Sequence, residues 1–254
     1  MSKKLLFAHV PKVGGTSLHL LFEQLIGRDL VYRLRAGHKA GRTDLAGLSA
    51  DERARHQFFQ GHFSFGEHRR FEQPCIYLAV VRDPIDRLIS LYHYLRDQQR
   101  SDLHPGVEII TFTQFCAEIT SNFKSGWTQC GFLTGCNDVD DIKAVLDQHY
   151  LTVCTTRQLN DMQTLLLNLY GSQPQPPLHR NPRRGALVDR EEAAAARRRY
   201  SQFFSFDYWL VDHVEERFFA QCEALGVQAK TSPRRKTHDY VMKTVPYRVK
   251  RAQQ

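Results

Sequence analysis

Leu5-Leu6-Phe7-Ala8-His9-Val10 is a nearly continuous apolar run halted by Pro11, the pattern of a short strand buried on both faces. Residues 11–15 follow with two glycines and read as a loop. Thr16 or Ser17 is expected to cap a helix, with Leu18, Leu21, Phe22 and Leu25 at helical spacing and Gly27 closing it. Strand, glycine loop and helix together open a nucleotide-binding α/β fold.

The pattern then weakens. Residues 37–55 are polar and predict loop plus a short helix. Phe58 and Phe59 lead into Gly61-His62 as a strand end. Residues 75–81 form the second clear strand, ending at Arg82-Asp83-Pro84. Pro84 suits the first turn of a helix, where a missing N–H costs nothing. Leu88, Leu91, Tyr92 and Leu95 give that helix its core face, and Arg87, Ser90 and His93 its other face. Further helices are predicted over 113–120, 139–148, 160–170, 190–204 and 208–225, with a short strand at 151–154. Residues 172–178 are a proline-rich, semi-rigid connector.

Composition narrows the reading. The 254 residues are 42% hydrophobic, enough for a core, yet no run approaches the roughly 18 apolar residues of a membrane span. The apolar stretch after Lys4 is too short for a signal-peptide core, so a soluble, cytoplasmic chain is expected. Six scattered cysteines show no C-x-x-C pair, which argues for reduced thiols rather than zinc or redox chemistry. The net charge is +8, of which +7 falls from Lys230 onward, leaving a nearly neutral body. A basic tail over 229–254 is thereby set apart from a body of residues 1–228, and no nucleic-acid-binding surface is expected.

Two segments carry chemistry. In Val10-Pro11-Lys12-Val13-Gly14-Gly15-Thr16-Ser17, a strand-to-helix loop turns backbone N–H groups and a positive helix end toward one point. Gly14 and Gly15 let the backbone approach phosphate oxygens, Lys12 adds a mobile charge, and Thr16 and Ser17 add hydroxyl donors. The lysine precedes the glycines, so this is not the G-x-x-x-x-G-K-[ST] loop, and no partner acid for a magnesium ion is evident. In Val81-Arg82-Asp83-Pro84-Ile85-Asp86-Arg87-Leu88-Ile89-Ser90, Arg82 leaves a strand end, where ligands of open α/β sheets bind. Ser90, two turns into the helix, can meet the same phosphate from the other side. Asp83 suits a loop restraint or helix cap, whereas Asp86 and Arg87 suit structure.

Together these segments resemble the sulfotransferases that use 3′-phosphoadenosine 5′-phosphosulfate (PAPS), in the branch of heparan sulfate 2-O-sulfotransferase and its bacterial relatives. Gly61-His62-Phe63, 129–133, 155–166 and 207–218 extend the resemblance over most of residues 3–225. It implies a P-loop-like three-layer α/β sandwich with a central, mostly parallel sheet and a helical C-terminal part. It implies that Lys12, Gly14, Gly15, Thr16 and Ser17 hold the 5′-phosphosulfate end of PAPS, and Arg82 and Ser90 its 3′-phosphate. A hydroxyl-bearing acceptor, with a glycan as the family expectation, and chemistry that needs no metal are implied as well.

Sulfuryl transfer to an alcohol needs a base, and imidazole suits that near neutral pH. His62 is the choice, since it follows Gly61 at a strand end near the family's histidine base. The related 2-O-sulfotransferases carry histidine–glycine–histidine there, and this chain has Gln60-Gly61-His62. Glu67 and His68 stand in reserve, and His9 reads as structural. Lys12 is expected to stabilise the leaving phosphate. The rival readings are a P-loop kinase or NTPase, and an inactive nucleotide-fold module that binds acidic glycans.

Overall fold

The computed structural model describes residues 3–34, 45–97, 106–121, 128–173, 176 and 188–233. Its centre is a parallel sheet of β1 (Lys4–Ala8), β2 (Val31–Arg33), β3 (Phe58–Gly61), β4 (Cys75–Val81) and β5 (Tyr150–Thr155), in the order β2-β3-β1-β4-β5. Every residue of β1 and β3 is buried, as continuous apolar runs in a doubly covered sheet require. β1 is central, with β3 on one side and β4 on the other. The chain therefore leaves β1 and β3 in opposite directions, which opens a crevice at their carboxyl ends.

Nine helices are described: α1 (Thr16–Ile26), α2 (Ala50–Arg55), α3 (Pro84–Asp97), α4 (Phe112–Ser121), α5 (Gln129–Thr134), α6 (Val139–His149), α7 (Leu159–Leu169), α8 (Arg190–Tyr200) and α9 (Ser205–Ala224). α1 lays Leu18, Leu21 and Phe22 on the sheet, with Phe22 stacked on Phe58 at 4.0 Å between centroids. Burying each such side chain contributes about 1.5–3 kcal/mol. A second apolar cluster joins α3, α4 and α8 through Leu88, Tyr92, Phe115, Ala196 and Phe204. The α/β sandwich with a helical C-terminal part stands as expected.

Several details differ from the sequence reading. The N-cap of α1 is Gly15 rather than Thr16 or Ser17, so the helix starts one residue early without a capping side chain. β2, a three-residue strand on the sheet edge, and the six-residue α5 were not anticipated; neither is long enough to show a period. The helix expected to run to 204 stops at Tyr200. Residues 201–204 then turn the chain and bury Phe204, and α9 packs back on β5. In 37–55 the short helix is α2, opened by a Ser49–Glu52 capping box, while residues 37–44 lie outside the described residues.

The connector at 172–178 is described only in part, as is the loop at 98–111, and the tail beyond Pro233 lies outside. Ala229 packs on the main core, and Lys230 and Thr231 donate backbone N–H bonds to Asp161 at 2.9 and 3.1 Å. Among the described residues, no helix is long and apolar enough to cross a membrane.

Candidate active site

The carboxyl ends of β1, β3, β4 and β5 meet at one edge of the sheet, and each sends a different group into the crevice. From β1 comes the loop to α1. Its Lys12 has φ 70 and its Gly14 φ 88. A non-glycine residue in that left-handed region costs roughly 1–2 kcal/mol. The turn curls the loop over the start of α1, whose first turn carries no acidic residue. The first N–H groups of a helix lack partners within it and carry a positive end, so the chemistry of this end suits an anion. The side chains of Thr16 and Ser17 lie outside what is described, although both residues belong to that first turn.

Arg82 comes from the end of β4. Its Nη1 donates to the Lys12 carbonyl at 3.2 Å, which brings the two cations together across the crevice. The Lys12 ammonium rests 4.0 Å from the centroid of the Tyr94 ring on α3, a cation–π contact. Burial, and next the neighbouring Arg82, hold the Lys12 ammonium below the ordinary lysine range, opposed by Asp97. A bound phosphate would reverse that repulsion. Ser90 is half-buried on α3, one turn before Tyr94 and on the same face of the helix, so it lines the side that Lys12 reaches.

Side chains remote in sequence fix these ends. The Gln129 amide brackets the Arg82 backbone, accepting from its N–H at 2.8 Å and donating to its carbonyl at 2.6 Å. Gln129 is in turn held by the buried Asp207, whose carboxylate accepts from the N–H groups of Gln129 and Cys130, both at 2.9 Å. Burial raises the Asp207 carboxyl above the usual range, with the buried Arg87 guanidinium acting against it. Thr156, just past β5, places its hydroxyl 3.2 Å from the carbonyls of both Val13 and Val81, which share its one proton. It thereby ties the β1 loop to the end of β4. Asp83 accepts from the Asp86 N–H at 2.8 Å and caps α3, and Asp86 pairs with Arg197, so the structural roles expected of them are seen.

His62 stands at the end of β3. The register Ala8↔Gly61 continues into a bond from the His9 N–H to the Gly61 carbonyl at 2.9 Å. Residues level across parallel strands face the same side, as do alternate residues along each strand. Phe7, His9, Gln60 and His62 therefore share one face, the face on which α1 begins. Accordingly the His9 and His62 rings stack at 4.6 Å and 29°, and those of Phe7 and His9 at 5.4 Å and 14°. His62 Nδ1 lies 2.7 Å from the His9 carbonyl oxygen. A carbonyl only accepts, so Nδ1 carries the proton and Nε2 keeps the lone pair of the neutral ring. Gln60 is buried and directs its amide nitrogen to the Gly15 carbonyl at 3.5 Å.

The reserve residues are engaged elsewhere. Glu67 accepts from the Leu45 N–H at 2.8 Å and pairs with Arg70 at 3.0 Å. His68 bonds the Tyr77 hydroxyl through its N–H and through Nδ1, at 2.9 and 3.1 Å. Tyr77 is level with Leu6, three residues short of His9 and therefore about 10 Å back from the carboxyl edge. Gln129, Asp207 and Thr156 are the supports that the sequence reading did not assign. Their segments were noted as similar to the family's later blocks, but their partners lie many residues away.

Heparan sulfate 2-O-sulfotransferase 1 of Mus musculus is 33% identical over 129 residues, covering 43% of this chain and 36% of that protein. The Homo sapiens protein of the same name matches equally, and heparan sulfate 2-O-sulfotransferase hst-2 of Caenorhabditis elegans is 31% identical over 127 residues, covering 43% and 39%. The match thus spans about a third of the length of these relatives. Among solved structures, a sulfotransferase from Alicyclobacillus acidocaldarius superposes with a TM-score of 0.48 at 15% identity, over 84% of this chain and 95% of that one. Mouse sulfotransferase SULT7A1 complexed with PAP gives 0.44 at 14%, over 80% and 65%. The sequence profile of the sulfotransferase family matches residues 1–158, which contain both phosphate segments and His62, and the chain belongs to that family.

Proposed function

We propose that the chain transfers a sulfuryl group from PAPS to an acceptor hydroxyl, with a carbohydrate as the acceptor class. The observation that carries this reading is the meeting of three parts at one sheet edge: the uncapped start of α1, the Lys12–Arg82 pair, and an imidazole whose Nδ1 is engaged and whose Nε2 has no hydrogen-bond partner among the described residues. The first two suit the phosphates of a nucleotide donor. The third suits an alcohol.

In this reading the acceptor oxygen attacks sulfur in line, and its proton passes to His62 Nε2. The bond from sulfur to the bridging oxygen breaks, and the electron pair stays on the phosphate of adenosine 3′,5′-bisphosphate. Lys12 meets the charge that develops there, while the N–H groups of α1 hold the phosphosulfate. Arg82 and Ser90 take the 3′-phosphate, remote from the reacting atoms. The names of the relatives support a glycan acceptor, with heparan-type chains the first to test.

The test joins binding to turnover. Adenosine 3′,5′-bisphosphate should bind in metal-free buffer and raise the melting temperature, with roughly 2.7 kcal/mol of stabilisation at a hundredfold excess over Kd. Radiolabelled PAPS should then label an acceptor in a panel of glycans and small alcohols. His62→Ala should keep donor affinity but lose on the order of 10²–10⁴ in turnover, the usual worth of a positioned base. Near-normal turnover in that variant would remove His62 from the mechanism, and stronger stabilisation by ATP with magnesium would overturn the donor.

A further inference from the structure

Two imidazoles stand together at the carboxyl edge of the sheet, and only one has a role in the chemistry above. His9 follows β1 and makes three contacts within the site. Its carbonyl accepts from the His62 Nδ1–H at 2.7 Å, its ring stacks on the His62 ring, and it borders the donor loop. The last contact is close. A methyl at Gly15 would stand 2.4 Å from His9 Cδ2, 2.5 Å from His9 Nε2 and 2.9 Å from Phe7 Cε1, so no side chain fits between loop and ring. Gly15 has φ −65, so nothing in its backbone calls for glycine, and the neighbouring rings do.

We propose that His9 is a positioning residue for His62. Its main-chain oxygen selects which nitrogen of His62 carries the proton, and its ring, packed against Phe7, Gly15 and His62, sets the plane in which the free lone pair lies. The inference rests on the reading of His62 as the base. A base that must meet an alcohol in line gains from being held in one tautomer and one orientation before the substrate arrives. His9 is suited to this because it does not itself take up the proton. Among the described residues, the charged and titratable groups that face it are His62 from β3, Arg33 from β2 and Lys12 from the loop. Burial first, and then these neighbours, push its imidazole down to about 3, so it stays neutral beside His62.

The decisive measurement is the long-range proton–nitrogen spectrum of protein labelled with ¹⁵N-histidine, with the His62 signals assigned by their loss in His62→Ala. In the wild type, neutral His62 should be the Nδ1–H tautomer alone. In His9→Leu, which keeps the main-chain oxygen but lacks an aromatic face, the His62 ring loses the plane that aims Nδ1 at that oxygen, so the two His62 nitrogens should move toward each other as the bond and the tautomer average. Adenosine 3′,5′-bisphosphate should still bind, which shows a folded donor site, and His9→Phe should restore the wild-type pattern.

Either of two results overturns the inference: an Nε2–H tautomer in the wild type, or unchanged His62 nitrogens in a folded, nucleotide-binding His9→Leu. Should His9→Leu fail to fold, the wild-type spectrum and His9→Phe still decide, because Phe must preserve the pattern if stacking sets it. The base reading fails separately, through normal turnover of His62→Ala.

Discussion

α1 and α3 begin in equivalent places, each just beyond the carboxyl end of a central parallel strand, yet their first turns are finished differently. At α3 the chain satisfies itself. Asp83 accepts from the Asp86 N–H, Pro84 has no N–H to satisfy, and Arg197 pairs with both Asp83 and Asp86. At α1 the N-cap is Gly15, which has no side chain, and no carboxylate lies in the first turn. The same piece of helix physics is closed by a side chain at α3, while the N-cap position of α1 has none to offer. Under the proposed function, that difference is what suits the start of α1 to the phosphates of the donor.

The largest expected effect comes from giving α1 the cap that α3 has. Gly15→Asp would place a carboxylate where a phosphate is read to bind, and like charges so juxtaposed cost several kcal/mol. Affinity for adenosine 3′,5′-bisphosphate should fall on the order of 10²–10³-fold. Gly15→Ala is the control, since its methyl meets the His9 ring without adding charge. Calorimetry on both variants separates the two terms. Equal losses would mean that crowding, and not the open helix end, governs donor binding.

Next come the two cations. Lys12→Ala should lower turnover about 10²–10³-fold with a smaller loss of donor affinity, because its charge matters most as the leaving phosphate develops. Arg82→Ala should raise the donor Kd about 10–100-fold, the worth of a charge-assisted bond made alike in ground and transition states. Measured dissociation and rate constants that reverse this pattern would exchange the roles of the two residues.

A third expectation concerns pH. The His9 imidazole takes a proton at about 3 in the folded chain, against about 6.5 in an unfolded one. Between these values the unfolded state binds the extra proton, so stability falls as pH falls from about 6.5 toward 3, by up to about 1.4 kcal/mol per pH unit. Below that window the loss is complete. Denaturant titrations of wild type and His9→Phe should diverge in that window, with the variant less sensitive to acid. Parallel curves would show His9 to be protonated in the native protein.

The parts of the site built from local sequence were legible in it. β1, its loop and α1, and likewise β4 and the capped start of α3, follow from apolar runs punctuated by Gly and Pro over ten to twenty residues. His62 could be placed because a strand end and a glycine frame it. Gln129 and Asp207 could not be given their work, because the amide clamps Arg82 from 47 residues away and the carboxylate grips Gln129 from 78. His9 looked structural for the same reason. Its stacking on His62 depends on the register of β1 with β3, which no single stretch of sequence contains. Glu67 stood in reserve as the base, close to His62 along the chain, but its carboxylate goes to Leu45 and Arg70.

The smallest effect is expected on the closed side of the comparison. Asp83→Ala removes the α3 cap and one of the two carboxylates beside Arg197, while Asp86 continues to hold that guanidinium. Loss of an N-cap costs about 1 kcal/mol, so the unfolding midpoint in denaturant should drop modestly. Donor affinity should hardly change, because Arg82 is fixed through its backbone by Gln129 and by its own bond to the Lys12 carbonyl. The stabilisation that adenosine 3′,5′-bisphosphate adds should therefore be the same in the variant as in the wild type. A large fall in nucleotide affinity without a matching fall in stability would show that Asp83 shapes the donor site, and the two helix ends would then be two halves of one anion site.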